Sequence, residues 1–271
     1  MKELVFFPVA ARPAESCTIG VMPQAKPVLY VFAISHYCEK ARWALDYLGI
    51  PYSLRYVAPG EHGKIARKLG APGSSVPYLH AGKQVIQGSD NIIDWAEEQP
   101  NDKDRRLTAD SDRQPYRQIE RRIDDVAGVH VRRYYYSEAL VEHPETVWPI
   151  FTRELPVTKR ILIGLARKKI RGIMIKRMDL GTEQGLESRA IIEHELDWID
   201  GLLADGRKYL VGDAFSRADI AVASLLAPLA LPAEHPTYSK MTHPPRLAGD
   251  VSAWANRPSL TWVRAIYSRH R

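Results

Sequence analysis

From Val28 onward the chain alternates short apolar runs with longer stretches whose apolar residues recur at helical spacing. Val28–Ile34 (VLYVFAI) is apolar, β-branched and aromatic, and it stops sharply at Ser35-His36-Tyr37-Cys38, the pattern of a buried strand. Over Glu39–Leu48 the residues Ala41, Ala44, Leu45 and Leu48 fall on one helical face, and Gly49 supplies a C-cap. A second strand is expected over Tyr52–Val57 and a short helix over Glu61–Leu69. Val76–His80 and Gln84–Ile86 read as a hairpin turning at Ala81-Gly82. Ser89–Glu98 reads as a helix opened by a Ser/Asp cap and closed before Pro100.

This order, β-α-β-α-β-β-α, defines an α/β unit over residues 28–99. Beyond the polar linker Glu97–Asp104 the strand signals vanish, and helices are expected near 113–140, 147–178, 183–203, 217–229 and 251–267. The fold class is therefore α/β plus all-α: a small α/β domain, then a helical bundle over 105–271. Residues 1–27, rich in Pro, Ala and polar residues, read as an extension packed on or trailing from the first strand. No internal repeat is present.

Composition narrows the function classes. A chain of 271 residues can bury two modest cores. No run reaches the roughly 18 apolar residues of a membrane span. The first apolar run is broken by Glu3 and Pro8, so no signal peptide is expected. Two cysteines, Cys17 and Cys38, are too few for a disulfide scaffold or a structural zinc site and fit a reducing cytoplasm. The net charge of +6 favours anions. Without zinc-finger spacing, a Gly-rich phosphate loop or an RNA-binding aromatic motif, it does not make a nucleic-acid binder.

Four segments carry a resemblance. Ser35-His36-Tyr37-Cys38-Glu39-Lys40-Ala41-Arg42-Trp43-Ala44-Leu45, then Ser75-Val76-Pro77-Tyr78-Leu79, then Ser89-Asp90-Asn91-Ile92-Ile93, and finally Phe215-Ser216-Arg217-Ala218-Asp219-Ile220 are similar, in this order and spacing, to the glutathione transferase superfamily. The resemblance spans roughly 28 to 267. It implies a thioredoxin-like N-terminal domain that binds glutathione, an all-helical C-terminal domain, a homodimer and a hydrophobic electrophile as second substrate. Two positions depart from the family pattern. His36 stands where proline is usual, and Gly88 replaces a Glu or Gln.

The chemistry suits these residues. A free thiol, with pKa about 8.5, is mostly protonated at neutral pH, while the thiolate is the nucleophile. Ser35, where strand turns into helix, can donate to a bound sulfur beside the positive end of the helix dipole; it can equally serve as a helix cap. Tyr30 in the first strand and Cys38 are the other candidate activators. Cys38 sits in the second position of a C-x-x-C-like turn, which leaves a thiol–disulfide reductase as a further reading. The resemblance implies a cis bond at Val76-Pro77, Val76 holding the cysteinyl part of glutathione, and Ser89 with Asp90 holding the γ-glutamyl group. Gly88 removes a side chain that many relatives place on that group. Lys64 and Arg67 could meet the glycyl carboxylate or simply form a solvated helix face. His130, Arg133, Tyr134 and the aromatics beside them are the candidates to line the pocket for the second substrate. Ser216 and Asp219 form a capping box, a structural motif. The basic segment 160–177 reads as a helix packed on the protein with its cations in water. Its alternative is contact with an anionic membrane surface, and with it a non-catalytic scaffold built on the same two domains.

Overall fold

The computed structural model describes residues 26–101, 105–108 and 112–271. The expected extension over 1–27 therefore lies outside the described residues except for Lys26 and Pro27, as does Cys17. The N-terminal unit runs β1 (Val28–Val31), α1 (His36–Leu48), β2 (Ser53–Tyr56), α2 (Glu61–Leu69), β3 (Tyr78–Ala81), β4 (Gln84–Gln87) and α3 (Ser89–Glu97). Its four strands form one mixed sheet in the order β2-β1-β3-β4. β1 pairs parallel with β2 and antiparallel with β3, so Leu29 faces both Leu54 and Leu79 across the ladders. This is the thioredoxin-like arrangement that the element order implies.

The first strand ends three residues earlier than its apolar run. After Val31 the chain leaves the ladder in a turn closed by Ser35 N–H on the Phe32 carbonyl, 3.2 Å, and the helix opens at His36. Alternate β1 residues then serve two cores. Leu29 and Val31 pack toward α1 and α3, while Tyr30 stacks on Tyr78 at 4.8 Å on the opposite face.

The helical part begins with one long, irregular rod. α4 (Gln114–Arg122) passes through a π-helical stretch, Ile123–Ala127, into α5 (Gly128–Tyr136), and a second π stretch follows over Ser137–Glu142. Then come α6 (Pro144–Thr152), α7 (Val157–Met178), α8 (Thr182–Leu202), α9 (Arg217–Ala230), α10 (Pro245–Trp254) and α11 (Pro258–His270). Two expected helices are each broken in two. Pro156 caps α7 and Pro258 opens α11, and a proline inside a helix forfeits an N–H and clashes with the preceding turn.

α9 is the axis of the molecule, with all fourteen of its residues buried. A helix apolar all round must be surrounded, and α1, α4, α5 and α11 surround it. Its start is fixed by the capping box: the Asp219 carboxylate accepts from the Ser216 N–H and hydroxyl at 2.8 and 2.7 Å. Arg217, fully buried, ties the domains together by pairing with Asp94 at 2.7 Å, Glu97 at 3.1 Å and Glu120 at 2.8 Å. Lys40 of α1, also fully buried, meets Glu120 at 2.9 Å and Asp124 at 2.6 Å.

Candidate active site

A cavity of about 560 Å³ opens between the domains at the N-terminal end of α1. Ser35 stands at its head as the N-cap of α1, accepting the Cys38 N–H at 3.3 Å. That bond uses a lone pair of Oγ, so the hydroxyl proton can still be donated, to a ligand in the cavity or to the Cys38 sulfur beside it. Cap and donor are thus compatible roles for one side chain.

The residues beside Ser35 are held from the helical domain. His36 Nε2 donates to the Gly128 carbonyl at 3.0 Å, and the Tyr37 hydroxyl donates to the Asp124 carbonyl at 2.6 Å. Burial, helped by the Arg132 charge, pushes His36 down to about 3, so the ring is neutral at physiological pH. Gly128 is required by space: a Cβ there would collide with Leu225 Cδ2 and lie 2.7 Å from the Tyr37 hydroxyl. The non-proline residue at position 36 thus acts as a tie between α1 and α5.

The Val76-Pro77 bond is cis, and Val76 lines the cavity wall. The N-terminus of α3 is attached next to it, since Gly88 N–H donates to the Pro77 carbonyl at 3.1 Å. Ser89, buried, opens α3 there, and Asp90 follows it. Ser89 and Asp90 adjoin the cis bond without lining the cavity itself. Gly88 has φ +96°, a conformation that side chains rarely adopt, and a Cβ on it would lie 2.7 Å from Asp90 Oδ1. Lys64 and Arg67 are exposed on α2 and also sit on the cavity rim.

The other two candidate activators are placed away from the cavity. Tyr30 packs against Tyr78 and under Arg55. Cys38 is buried behind Ser35, and burial pushes its thiol up to about 12, the reverse of what a reactive cysteine needs.

The structure places His130, Arg133 and Tyr134 elsewhere too. His130 meets the Ser188 hydroxyl at 3.1 Å, Arg133 pairs with Asp179 and Glu187, and fully buried Tyr134 donates to Asp250. Their neighbours Val131, Arg132, Tyr135 and Tyr136 line the cavity instead. Arg132 lies 6.0 Å from the Tyr37 ring, with its Nε buried and without a hydrogen-bond partner. The far wall is apolar. Phe151 of α6 stacks on Tyr136 at 5.8 Å, and α7 contributes Ile170, Ile173 and Met174. The result is an apolar, aromatic chamber with a serine hydroxyl, a helix N-terminus and an unpaired guanidinium at one end.

Comparison with known proteins agrees with this frame. Residues 29–104 match the family profile "Glutathione S-transferase, N-terminal domain", and residues 175–257 match "Glutathione S-transferase, C-terminal domain". The chain belongs to the glutathione transferase superfamily. A comparison with curated protein sequences finds no match. Among solved structures, a glutathione transferase of Phanerochaete chrysosporium is similar at 16% identity and a TM-score of 0.61, covering 92% of this chain and 98% of that one. A glutathione S-transferase of Ceriporiopsis subvermispora, in complex with glutathione, shares 15% identity at a TM-score of 0.57, with coverages of 91% and 98%. The beta-etherase LigF of a Sphingobium strain shares 18% identity at a TM-score of 0.53, with coverages of 88% and 98%. Likeness at these identities establishes the fold. The stretch between the two matched regions, 105–174, holds α4 to most of α7.

Proposed function

We propose that this chain is a glutathione transferase-like enzyme that binds glutathione beside Val76, Pro77, Ser89 and Asp90 and activates its thiol at Ser35. The carrying observation is Ser35 itself: it caps α1 through a lone pair of its hydroxyl oxygen, and it opens on the interdomain cavity. Glutathione's S–H loses its proton to solvent, and Ser35 with the α1 N-terminus stabilises the thiolate. The sulfur lone pair then forms a bond to an electrophilic centre, whose leaving group departs with its electron pair. The aromatic walls select a flat or apolar electrophile. A homodimer in a reducing cytoplasm is the expected setting, supported by family membership and the two cysteines.

Glutathione titrated into the protein by calorimetry, with thiolate absorbance followed near neutral pH, tests this reading. Binding with thiolate formation is expected, and Ser35→Ala should cut turnover about 10²-fold, the scale of losing one anion-stabilising donor. One observation favours a second reading, a non-catalytic scaffold: Gly88 leaves the γ-glutamyl end without the Glu or Gln side chain, and its conformation resists restoring one. Failure of glutathione to bind would overturn the enzyme reading and support the scaffold.

A further inference from the structure

Six large apolar side chains are exposed among the described residues, and five of them belong to α7: Val157, Ile161, Leu162, Leu165 and Ile173. Leu165 is 82% exposed. Val157, Ile161 and Leu165 repeat at i, i+4 and i+8, so they form one outward stripe, with Leu162 beside it. The inward stripe is separate. Ile163 packs with Ala58 and Leu155, while Ile170 and Met174 wall the cavity. α7 is therefore apolar on two opposite faces, and only one of them is covered.

The charge on this helix is equally one-sided. Its 22 residues include eight Lys or Arg and no Asp or Glu. Lys159 is held by Glu61 at 2.5 Å, and Arg171 donates to the Leu140 carbonyl. Arg160, Arg167, Lys168, Lys169, Lys176 and Arg177 are exposed, and no ion pair engages them among the described residues. No helix there is long and apolar enough to cross a membrane. An outward apolar stripe flanked by unpaired cations suits a helix lying in the plane of a bilayer, its apolar side chains among acyl chains and its cations on anionic headgroups. Two-fold pairing of α7 with a second copy would set six unpaired cations against six.

We propose that α7 docks this protein on the surface of an anionic lipid bilayer. Ile173 and Arg177 are both exposed and part of the cavity lining, so docking brings the cavity mouth to the membrane, where apolar molecules concentrate. The inference goes beyond the thiol chemistry proposed above and does not rest on it.

Co-sedimentation of the full chain with phosphatidylcholine vesicles containing about 30 mol% phosphatidylserine tests the proposal. Binding is expected at low salt, at least about tenfold weaker on pure phosphatidylcholine and at about 0.5 M NaCl. The double variant I161E/L165E should lose at least about tenfold in binding while keeping the native melting temperature, because both positions are exposed. Leu165→Trp should bind and be quenched by brominated acyl chains. Absence of binding to the serine-lipid vesicles, or binding that I161E/L165E leaves intact, would overturn the proposal. So would salt-sensitive capture of polyglutamate that matches or exceeds vesicle binding, which assigns the face to an acidic protein. Self-association abolished by Leu165→Glu would overturn it as well and assign the face to a second copy.

Discussion

At Ser35 the cap on α1 and the proposed thiolate donor share one oxygen, and substitution can separate them. Ser35→Ala removes both the cap and the donor, and loss of a serine cap costs about 1 kcal/mol. Glycine caps nearly as well as serine but has no hydroxyl. Ser35→Gly should therefore keep stability within about 0.5 kcal/mol in urea unfolding while turnover falls about 10²-fold. Unchanged turnover would leave Ser35 as a cap alone. Arg132 is the second residue at this scale, because its guanidinium lies near Tyr37 and already depresses His36. A cation near a thiolate lowers the thiol's pKa. Arg132→Met should raise the pKa of bound glutathione by about 0.5–1 unit, read from thiolate absorbance against pH; no shift would separate Arg132 from the sulfur. The place of Ser35 at the start of α1 and on the cavity was legible in the sequence because the strand-to-helix break and the downstream landmarks flank it. Arg132 was not, because the rod that carries it contains π-helical stretches. Each such stretch accommodates an extra residue and turns the following face by about 100°, so a 3.6-residue period loses phase along the rod. The sequence pattern points to His130, Arg133, Tyr134 and the aromatics beside them; of these the cavity meets only the aromatics, Tyr135 and Tyr136, together with Val131 and Arg132.

Among the elements, local signals placed α2 to the residue and most strands within a few. Helices broken by proline look continuous in the sequence, because their apolar spacing carries on across the break. The ion cluster that joins α1, α3, α4 and α9 had no sequence signal at all. Arg217 falls at an unremarked position of the capping motif, and its partners lie about a hundred or more residues away in the chain. Arg217 is fully buried, and removing it leaves Asp94, Glu97 and Glu120 with Lys40 and Arg117 as remaining cations. Removing one partner of a buried pair typically costs about 3–5 kcal/mol. Arg217→Met should lower stability by that amount in urea unfolding. A second removal, Arg217→Met with Glu120→Gln, should recover part of the loss, whereas additive losses would show that packing rather than charge carries the cost.

Across the whole molecule, burial acts on histidines in one direction. His36 and His235 are pushed down to about 3, and His62, His130, His243 and His270 are lowered as well, with desolvation the largest cause in each case. The unfolded chain takes up protons at these residues near pH 6.5, and the folded chain does not. Their contribution to stability is present above pH 6.5 and is lost as pH falls toward each folded value. Asp124 and Asp219, pushed up by burial to about 6, oppose this: between 3.8 and 6 the folded state takes up their protons first. Between pH 6.5 and 6 the histidines act first, and lower down Asp124, Asp219 and Glu138, whose carboxyl burial also raises, offset only part of the six. The melting temperature should therefore fall steadily from pH 7 to pH 5, well before ordinary carboxylates protonate. Each uncompensated proton contributes a slope of about 1.4 kcal/mol per pH unit. His36→Gln keeps an N–H for the Gly128 carbonyl but cannot ionise. It should reduce the slope by about one proton's worth while leaving stability at pH 7.5 near native. A melting temperature flat between pH 7 and 5, or a slope that His36→Gln does not change, would mean that the folded chain takes up these protons at no cost and that the tie between α1 and α5 yields to charge.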